Sequence, residues 1–102
     1  MGDLREVARA ADLPPGSAQR VEVDGRRIAL FNIDGRILAI DDTCTHRGGP
    51  LSEGDVEGHR VTCPWHGAQF DLETGAVLRP PAARPVTAYR AVLDGDRIKL
   101  EL

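Results

Sequence analysis

The sequence is poor in the features that define several large classes of protein. Its 102 residues include two Cys, one Trp, one Tyr and two Phe, and the formal net charge is −3. No apolar run approaches the roughly twenty residues of a membrane span, and the opening Met-Gly-Asp-Leu-Arg-Glu has no apolar signal core. A weakly acidic chain has no electrostatic reason to bind nucleic acid or an anionic membrane. We therefore expect a cytoplasmic protein that binds neither.

The length of the chain limits its organisation. A chain of 102 residues can bury one modest core, and it has no repeat, low-complexity tract or linker. We therefore expect a single domain over residues 1–102. Nothing in the composition demands more than a monomer.

Three Asp-Gly dipeptides, at 24–25, 34–35 and 94–95, separate short β-type runs. This dipeptide suits the positive φ angles of a two-residue hairpin turn. The N-terminal residues are ambiguous, because Leu4, Val7, Ala8 and Ala11 have helical spacing. Predicted strands run over Arg20–Val23, Arg27–Ile33, Ile37–Asp41, Arg60–Cys63, Gln69–Leu72, Ala76–Leu78, Val86–Leu93 and Arg97–Leu102. Many short strands with regular turns predict an antiparallel sandwich or small barrel.

The most informative feature is a pair of Cys/His motifs, Cys44-Thr-His46 and Cys63-Pro-Trp-His66, each beside Gly and Pro residues. Two thiolates and two imidazoles suit a two-iron, two-sulfide cluster in which one iron binds both sulfurs and the other both nitrogens. A structural zinc site could use the same four ligands. However, zinc ligands are usually spaced C-x₂₋₄-C and H-x₃₋₅-H, and this chain departs from that spacing. Two unrelated buried thiols are the remaining alternative.

The two motifs, C-T-H-R-G-G-P-L (44 to 51) and C-P-W-H-G-A-Q-F (63 to 70), resemble those of Rieske-type [2Fe-2S] ferredoxins. The resemblance runs from about Val21 to the C-terminus. It implies an all-β fold, a small antiparallel sandwich or barrel with a two-loop cluster-binding tip, and a short strand near Arg5–Ala8. It also implies one [2Fe-2S] cluster, whose inner iron binds two sulfurs and whose outer iron binds two nitrogens. The implied ligands are Cys44, Cys63, His46 and His66.

The resemblance implies an electron carrier and not an enzyme. The chain would be the ferredoxin component of a multicomponent ring-hydroxylating dioxygenase or related oxygenase. It would take electrons from an NADH-dependent flavin reductase and pass them to a terminal oxygenase. The small subunit of an assimilatory nitrite reductase also resembles this fold and is the alternative.

Four positions indicate a low reduction potential. High-potential members of the respiratory type have an additional cysteine in each loop, where this chain has Gly49 and Trp65. They also have hydroxyl groups where this chain has Ala68 and Phe70. Hydrogen bonds to the sulfurs tune the potential, and neither Ala68 nor Phe70 can donate one through its side chain.

Residues around the motifs allow further predictions. Trp65 is expected to be partly exposed, shielding the cluster and touching a partner, and His59 is expected to be an exposed residue that binds no metal. Acidic residues near the motifs could make the tip acidic and attractive to basic partners, with ordinary solvated carboxylates as the alternative. These acids are Asp41, Asp42, Glu53, Asp55 and Glu57.

Overall fold

The structure is a computed structural model that describes residues 3–45, 48–65, 67–80 and 84–101. Eleven strands and two short 3₁₀ turns, Ala10–Asp12 and Leu51–Glu53, form within these residues. Every strand pairing among them is antiparallel, which confirms the predicted all-β fold. None of the helices among the described residues is long and apolar enough to cross a membrane. The strands are β1 (Leu4–Arg9), β2 (Ala18–Val23), β3 (Arg26–Ile33), β4 (Arg36–Asp41), β5 (Asp55–Glu57), β6 (Arg60–Thr62), β7 (Gln69–Asp71), β8 (Val77–Arg79), β9 (Ala88–Tyr89), β10 (Ala91–Asp94) and β11 (Arg97–Glu101).

The described strands form three sheets, ordered β1-β11-β10, β2-β3-β4-β9 and β5-β6-β7-β8. The central strand β3 is buried along five successive residues, from Ile28 to Asn32. Successive side chains of a strand point to opposite faces. On one face Ile28 and Leu30 pack with residues of β11, and on the other Ala29 and Phe31 pack with residues of β6 and β7. The sheet that contains β3 therefore lies between the other two.

Two of the three predicted Asp-Gly turns form as expected. Asp24-Gly25 joins β2 to β3 and Asp34-Gly35 joins β3 to β4, and all four residues have positive φ angles between 51° and 95°. The third prediction was wrong by one residue. Asp94 pairs with Arg97 as the last residue of β10, so the turn consists of residues 95–96.

The predicted strand over Val86–Leu93 is divided in two. Its first part, β9, pairs with β4 in the central sheet, and its second part, β10, pairs with β11 in an outer sheet. The division falls at Arg90, whose carbonyl accepts a hydrogen bond from Glu101 N–H. The chain thus changes sheets, which a run of β-forming residues does not reveal. β5 was also missed, because its three residues are all exposed and two of them are acidic.

Tyr89 ties β9 to the end of β4. Its hydroxyl donates to Asp41 Oδ1 at 2.7 Å, while the other carboxylate oxygen accepts from Thr87 N–H at 3.2 Å. The pKa of Tyr89 is raised to about 12. Burial is the largest cause, and the hydrogen bond to Asp41 is the second. Arg26 acts in the opposite direction. This link holds the two strands together just before the first Cys/His motif.

We expect Tyr89 to ionise near pH 12 in the native protein, which ultraviolet titration can measure directly because the chain has one tyrosine. The folded-state pKa lies above the unfolded value of about 10, so this stabilisation is lost as pH rises from about 10 through about 12. Asp41→Asn should lower the pKa part of the way toward 10, because burial remains. The control Asp34→Asn, in an exposed turn, should leave it unchanged. Ionisation of native Tyr89 near pH 10 would contradict this prediction.

Candidate metal centre

The two Cys/His motifs lie on two loops that close with the same backbone hydrogen bonds. In the first loop, Cys44 N–H donates to Gly49 O at 2.9 Å and Gly48 N–H donates to Cys44 O at 2.8 Å. In the second, Cys63 N–H donates to Ala68 O at 2.7 Å and Gly67 N–H donates to Cys63 O at 3.1 Å. Each cysteine therefore begins a six-residue loop in which its own backbone amide and carbonyl hold the far end.

A glycine with positive φ occupies the fifth position of each loop. Gly48 has a φ of 77° and Gly67 a φ of 79°. This left-handed conformation is costly for residues that carry a Cβ atom. The glycines let the chain turn back so that its amide reaches the cysteine carbonyl. The two loops are related by structure as well as by sequence, although the histidine is the third residue of one and the fourth of the other.

Both cysteines are thiols, 3% exposed, and belong to the same buried cluster of side chains. The loops that carry them are in contact. A Cβ atom added to Gly49 would lie 2.7 Å from Cys63 Sγ, closer than such atoms approach in real structures. Only a glycine at position 49 lets the first loop pass so close to the sulfur of the second. The two thiols therefore lie at one site and not at two.

The first loop is fixed to the body of the protein by Asp42 and Thr45. Asp42 is 2% exposed, and its Oδ1 accepts from Ser52 N–H at 2.7 Å while its backbone carbonyl accepts from Leu51 N–H. The Thr45 hydroxyl donates to Arg84 O at 2.6 Å. These bonds brace both sides of Cys44. Asp42 was predicted to be a possible surface charge, although the inward alternation of Leu38 and Ile40 continues to it.

The two histidines of the motifs, His46 and His66, lie outside the described residues, as does Arg47. The described residues of the site are those around the two cysteines, and a cluster needs sulfur ligands that lie close together. Two buried thiols belong to one apolar cluster, and the lack of a Cβ atom at Gly49 leaves room for Cys63 Sγ beside the first loop. Soft sulfur ligands in an apolar setting suit an iron–sulfur group. The described residues fit the inner end of such a site.

Trp65 is 58% exposed, as predicted. Its ring atoms Cγ and Cδ2 would lie 3.1 Å from a Cβ atom at Gly49. These are the two positions that carry the additional cysteines of the respiratory type. In this chain the indole lies against the glycine, so a ring contact joins the loops at that point.

The five acids near the motifs lie in different settings, with Glu53 and Asp55 exposed, so the acidic tip and its alternative of ordinary solvated carboxylates both stay predictions. Asp42 is buried, Asp41 is engaged with Tyr89 and Thr87, and Glu57 pairs with Arg60 in the β5–β6 hairpin. The expected exposure of His59 is confirmed, since it lies in the turn before β6 with its Nδ1 3.6 Å from Glu73 Oε1. The His59 carbonyl accepts from Leu72 N–H. His59 comes directly before β6 and Cys63 directly after it, so the two residues lie at opposite ends of this strand.

Comparison with known proteins identifies the family. Residues 3–90 match the model of the Rieske [2Fe-2S] domain. The chain is 42% identical over 93 residues to the 3-phenylpropionate/cinnamic acid dioxygenase ferredoxin subunit of Escherichia coli (strain K12), covering 90% of this chain and 87% of the relative. It is 34% identical over 91 residues to the naphthalene 1,2-dioxygenase system ferredoxin component of Pseudomonas aeruginosa, covering 89% and 88%. The chain therefore belongs to the Rieske [2Fe-2S] domain family, whose members carry an iron–sulfur cluster.

Solved structures agree. The ferredoxin of carbazole 1,9a-dioxygenase from Nocardioides aromaticivorans IC177 superposes with a TM-score of 0.91 at 31% identity, covering 96% of both chains. A chain in a complex of reduced oxygenase and oxidized ferredoxin of carbazole 1,9a-dioxygenase gives 0.88 at 29% identity, covering 96% and 92%. A putative nitrite reductase small subunit gives 0.83 at 24% identity, covering 98% and 99%, and shows the fold alone. The predicted ferredoxin-type protein, an electron-transfer component and not a catalytic subunit, is confirmed.

The contact between Gly49 and Cys63 predicts the effect of one methyl group. Gly49→Ala should reduce the iron and sulfide bound per chain, because the new Cβ displaces Cys63 Sγ or separates the loops. We expect it to lower the free energy of unfolding by about 1–3 kcal/mol. Metal analysis and thermal unfolding measure both effects.

A matched control is Gly95→Ala. Gly95 has a φ of 63° and nothing within 4 Å of an added Cβ, so this variant carries backbone strain without touching the loops. It should lose about 1 kcal/mol of stability and keep the iron content of the native protein. Native iron content and stability in Gly49→Ala would contradict the prediction.

Proposed function

We propose that this chain is a one-electron carrier that holds one [2Fe-2S] cluster through Cys44, Cys63, His46 and His66. The observation that supports it most strongly is the contact of two equivalently closed loops at the sulfur of Cys63. When bound, the cluster supplies a site that accepts and releases one electron. Cys44 and Cys63 would hold its inner iron, and His46 and His66 its outer iron.

The described residues have clear tasks in such a carrier. The apolar cluster around the cysteines, which includes Leu51, Ala68 and Phe70, excludes water from the thiolate end. The two loop closures and the bonds of Asp42 and Thr45 fix the backbone that carries the sulfurs. A rigid site reorganises little when its charge changes, which favours fast electron transfer in both directions.

We also propose the partners and the setting. The relatives are named as ferredoxin components of dioxygenase systems, and a similar chain has been seen with an oxygenase. By analogy this chain would take electrons from a flavin-dependent, NADH-oxidising reductase and deliver them to a terminal oxygenase. The single domain over 1–102, the monomeric state and the cytoplasmic location stay predictions.

Two alternatives have less support. A small subunit of nitrite reductase shares the fold, but its match at 24% identity carries no functional argument. A structural zinc module would use the same ligands in a colourless protein. Co-purification with a sirohaem subunit would favour the first alternative, and a colourless protein containing zinc would favour the second.

The ligand assignment predicts an electron paramagnetic resonance spectrum. The dithionite-reduced protein should give the signal of a mixed nitrogen and sulfur site, with an average g below that of all-thiolate clusters. His46→Ser and His66→Ser should each abolish it, because each removes a nitrogen ligand of one iron. His59→Ser is the matched control and should leave the spectrum unchanged. An unchanged spectrum in either of the first two variants would refute the assignment.

The neighbours of the cluster predict its midpoint potential. Ala68 and Phe70 are fully buried and have no side-chain hydrogen-bond donor. Voltammetry should place the midpoint near the lower end of the range of about −150 to +300 mV found in Rieske centres. Ala68→Ser should raise the midpoint, because its hydroxyl can donate to a sulfur, while Ser52→Ala, a change outside both loops, should not. A native midpoint near the upper end would contradict the prediction.

A further inference from the structure

The arginines of the described chain fall into two groups. Five of them form ion pairs with carboxylates, and the partners are Asp24, Glu73, Glu57, Glu101 and Glu6. A second group has no carboxylate partner among the described residues, and four of its members are exposed near the two cluster-binding loops. These four are Arg26, Arg27, Arg79 and Arg84. Arg26 also interacts with the Tyr89 side chain, whereas the charges of Arg27, Arg79 and Arg84 are available to another molecule.

Three of the four lie beside the first loop. Arg27 O accepts a hydrogen bond from Asp42 N–H at 3.0 Å, two residues before Cys44. Arg26 and Arg27 line a surface hollow together with Asp41, Thr43, Thr87 and Tyr89. The carbonyl of Arg84 accepts from the hydroxyl of Thr45. Arg27 and Arg84 are thus hydrogen-bonded to residues 42 and 45, and Arg26 lines the same hollow as Thr43.

The fourth arginine lies beside the second loop. Thr62 and Gln69 are paired at the base of this loop, and Gln69 pairs in turn with Arg79 of β8. On the other side Thr62 pairs with Asp55. These four paired residues cross the sheet from Arg79 at one edge to Asp55 at the other. Asp55 is exposed and shares a hollow with Ser17, Ile33 and Ser52, so one acid lies at this edge of the site.

Trp65 completes this surface. It is the most exposed of the large apolar side chains in the described chain, and it lies against Gly49 where the loops meet. Trp and Arg are the residue types most enriched among those that dominate binding energy at protein interfaces. A carrier whose partners change must bind through a small surface close to its redox centre. We call Trp65 with the four arginines the arginine face.

We propose that the arginine face docks an acidic surface of the protein that accepts the electron, with carboxylates opposite the arginines and an apolar spot opposite Trp65. The inference rests on the proposed carrier function and adds the chemistry of the partner. The formal net charge of −3 would predict the reverse, a basic partner. Local charge governs the approach of a partner over a Debye length of about 8 Å at physiological salt.

Small charged oxidants can report the local charge where electrons leave the protein. In stopped flow, the reduced protein gives one electron to ferricyanide, a trianion, which becomes ferrocyanide. As salt rises from about 10 to about 300 mM, screening should lower this rate about threefold or more, because the arginines attract the anion. The trication hexaammineruthenium(III) should show the opposite trend. A carrier governed by its net charge would reverse both.

Single charge removals locate the effect. At low salt, Arg79→Gln and Arg84→Gln should each lower the ferricyanide rate about twofold and weaken its salt dependence. Arg9→Gln removes the same charge from an exposed residue that pairs with Arg97 in the β1–β11 ladder. Since all three variants have the same net charge, an equal effect of Arg9→Gln would overturn the arginine face.

An acidic polypeptide tests docking itself. Poly-L-glutamate should slow the ferricyanide reaction of the native protein at low salt, and Arg79→Gln and Arg84→Gln should be less sensitive than Arg9→Gln. Equal sensitivity in all three would overturn the proposal. Paramagnetic resonance of each sample shows whether the protein carries the cluster, and this separates failure of the carrier function from failure of the arginine face alone. Protein without the cluster signal would overturn the carrier function and the arginine face together, whereas a normal signal with ferricyanide rates that rise with salt would overturn the arginine face alone.

Discussion

The close approach of Gly49 to Cys63 Sγ is the contact on which the rest of this structure depends. Two separate loops can bind one cluster only if they approach each other, and in this chain a Cβ atom at position 49 would lie 2.7 Å from Cys63 Sγ. The matching backbone closures fix each loop internally, so the contact joins two stiff units. Because the cysteine amide and carbonyl are both used in these closures, the backbone that carries each sulfur is fixed to the far end of its own loop.

The three sheets position that contact. β3 is buried on both faces because a core lies on each side of it, and the core toward β6 and β7 includes the two cysteines. The second loop joins β6 to β7 directly, while the first follows β4, the neighbour of β3. Packing the central sheet on the outer one therefore brings the loops together. The apolar stabilisation of the fold and the assembly of the site depend on the same surfaces.

The sequence predicted most of this arrangement, for identifiable reasons. Asp-Gly turns and alternation predicted the hairpins, since both signals arise within a few adjacent residues. The break at Arg90 and the short strand β5 were missed, because both depend on which sheet the chain joins. At the site, the residue types and spacing predicted a shared site for Cys44 and Cys63, which lie in one buried cluster, whereas their role as ligands stays a prediction. Burial of Asp42 follows from alternation continued one step beyond the strand, whereas the Thr45–Arg84 bond joins residues 39 apart and leaves no local signal.

The charges illustrate why composition alone misleads about partners. Within the described chain, six of the sixteen acids are ion-pair partners, Asp41 is the acceptor for Tyr89 and Asp42 is a buried loop brace. The exposed charged residues beside the loops include four arginines as well as Glu53 and Asp55, although the whole chain is acidic. A partner meets the local surface within a Debye length and not the sum over the molecule. In the proposed docking, an acidic partner is steered toward the site by arginines that have no carboxylate partner. Which arginines these are depends on the folded structure and cannot be read from the composition.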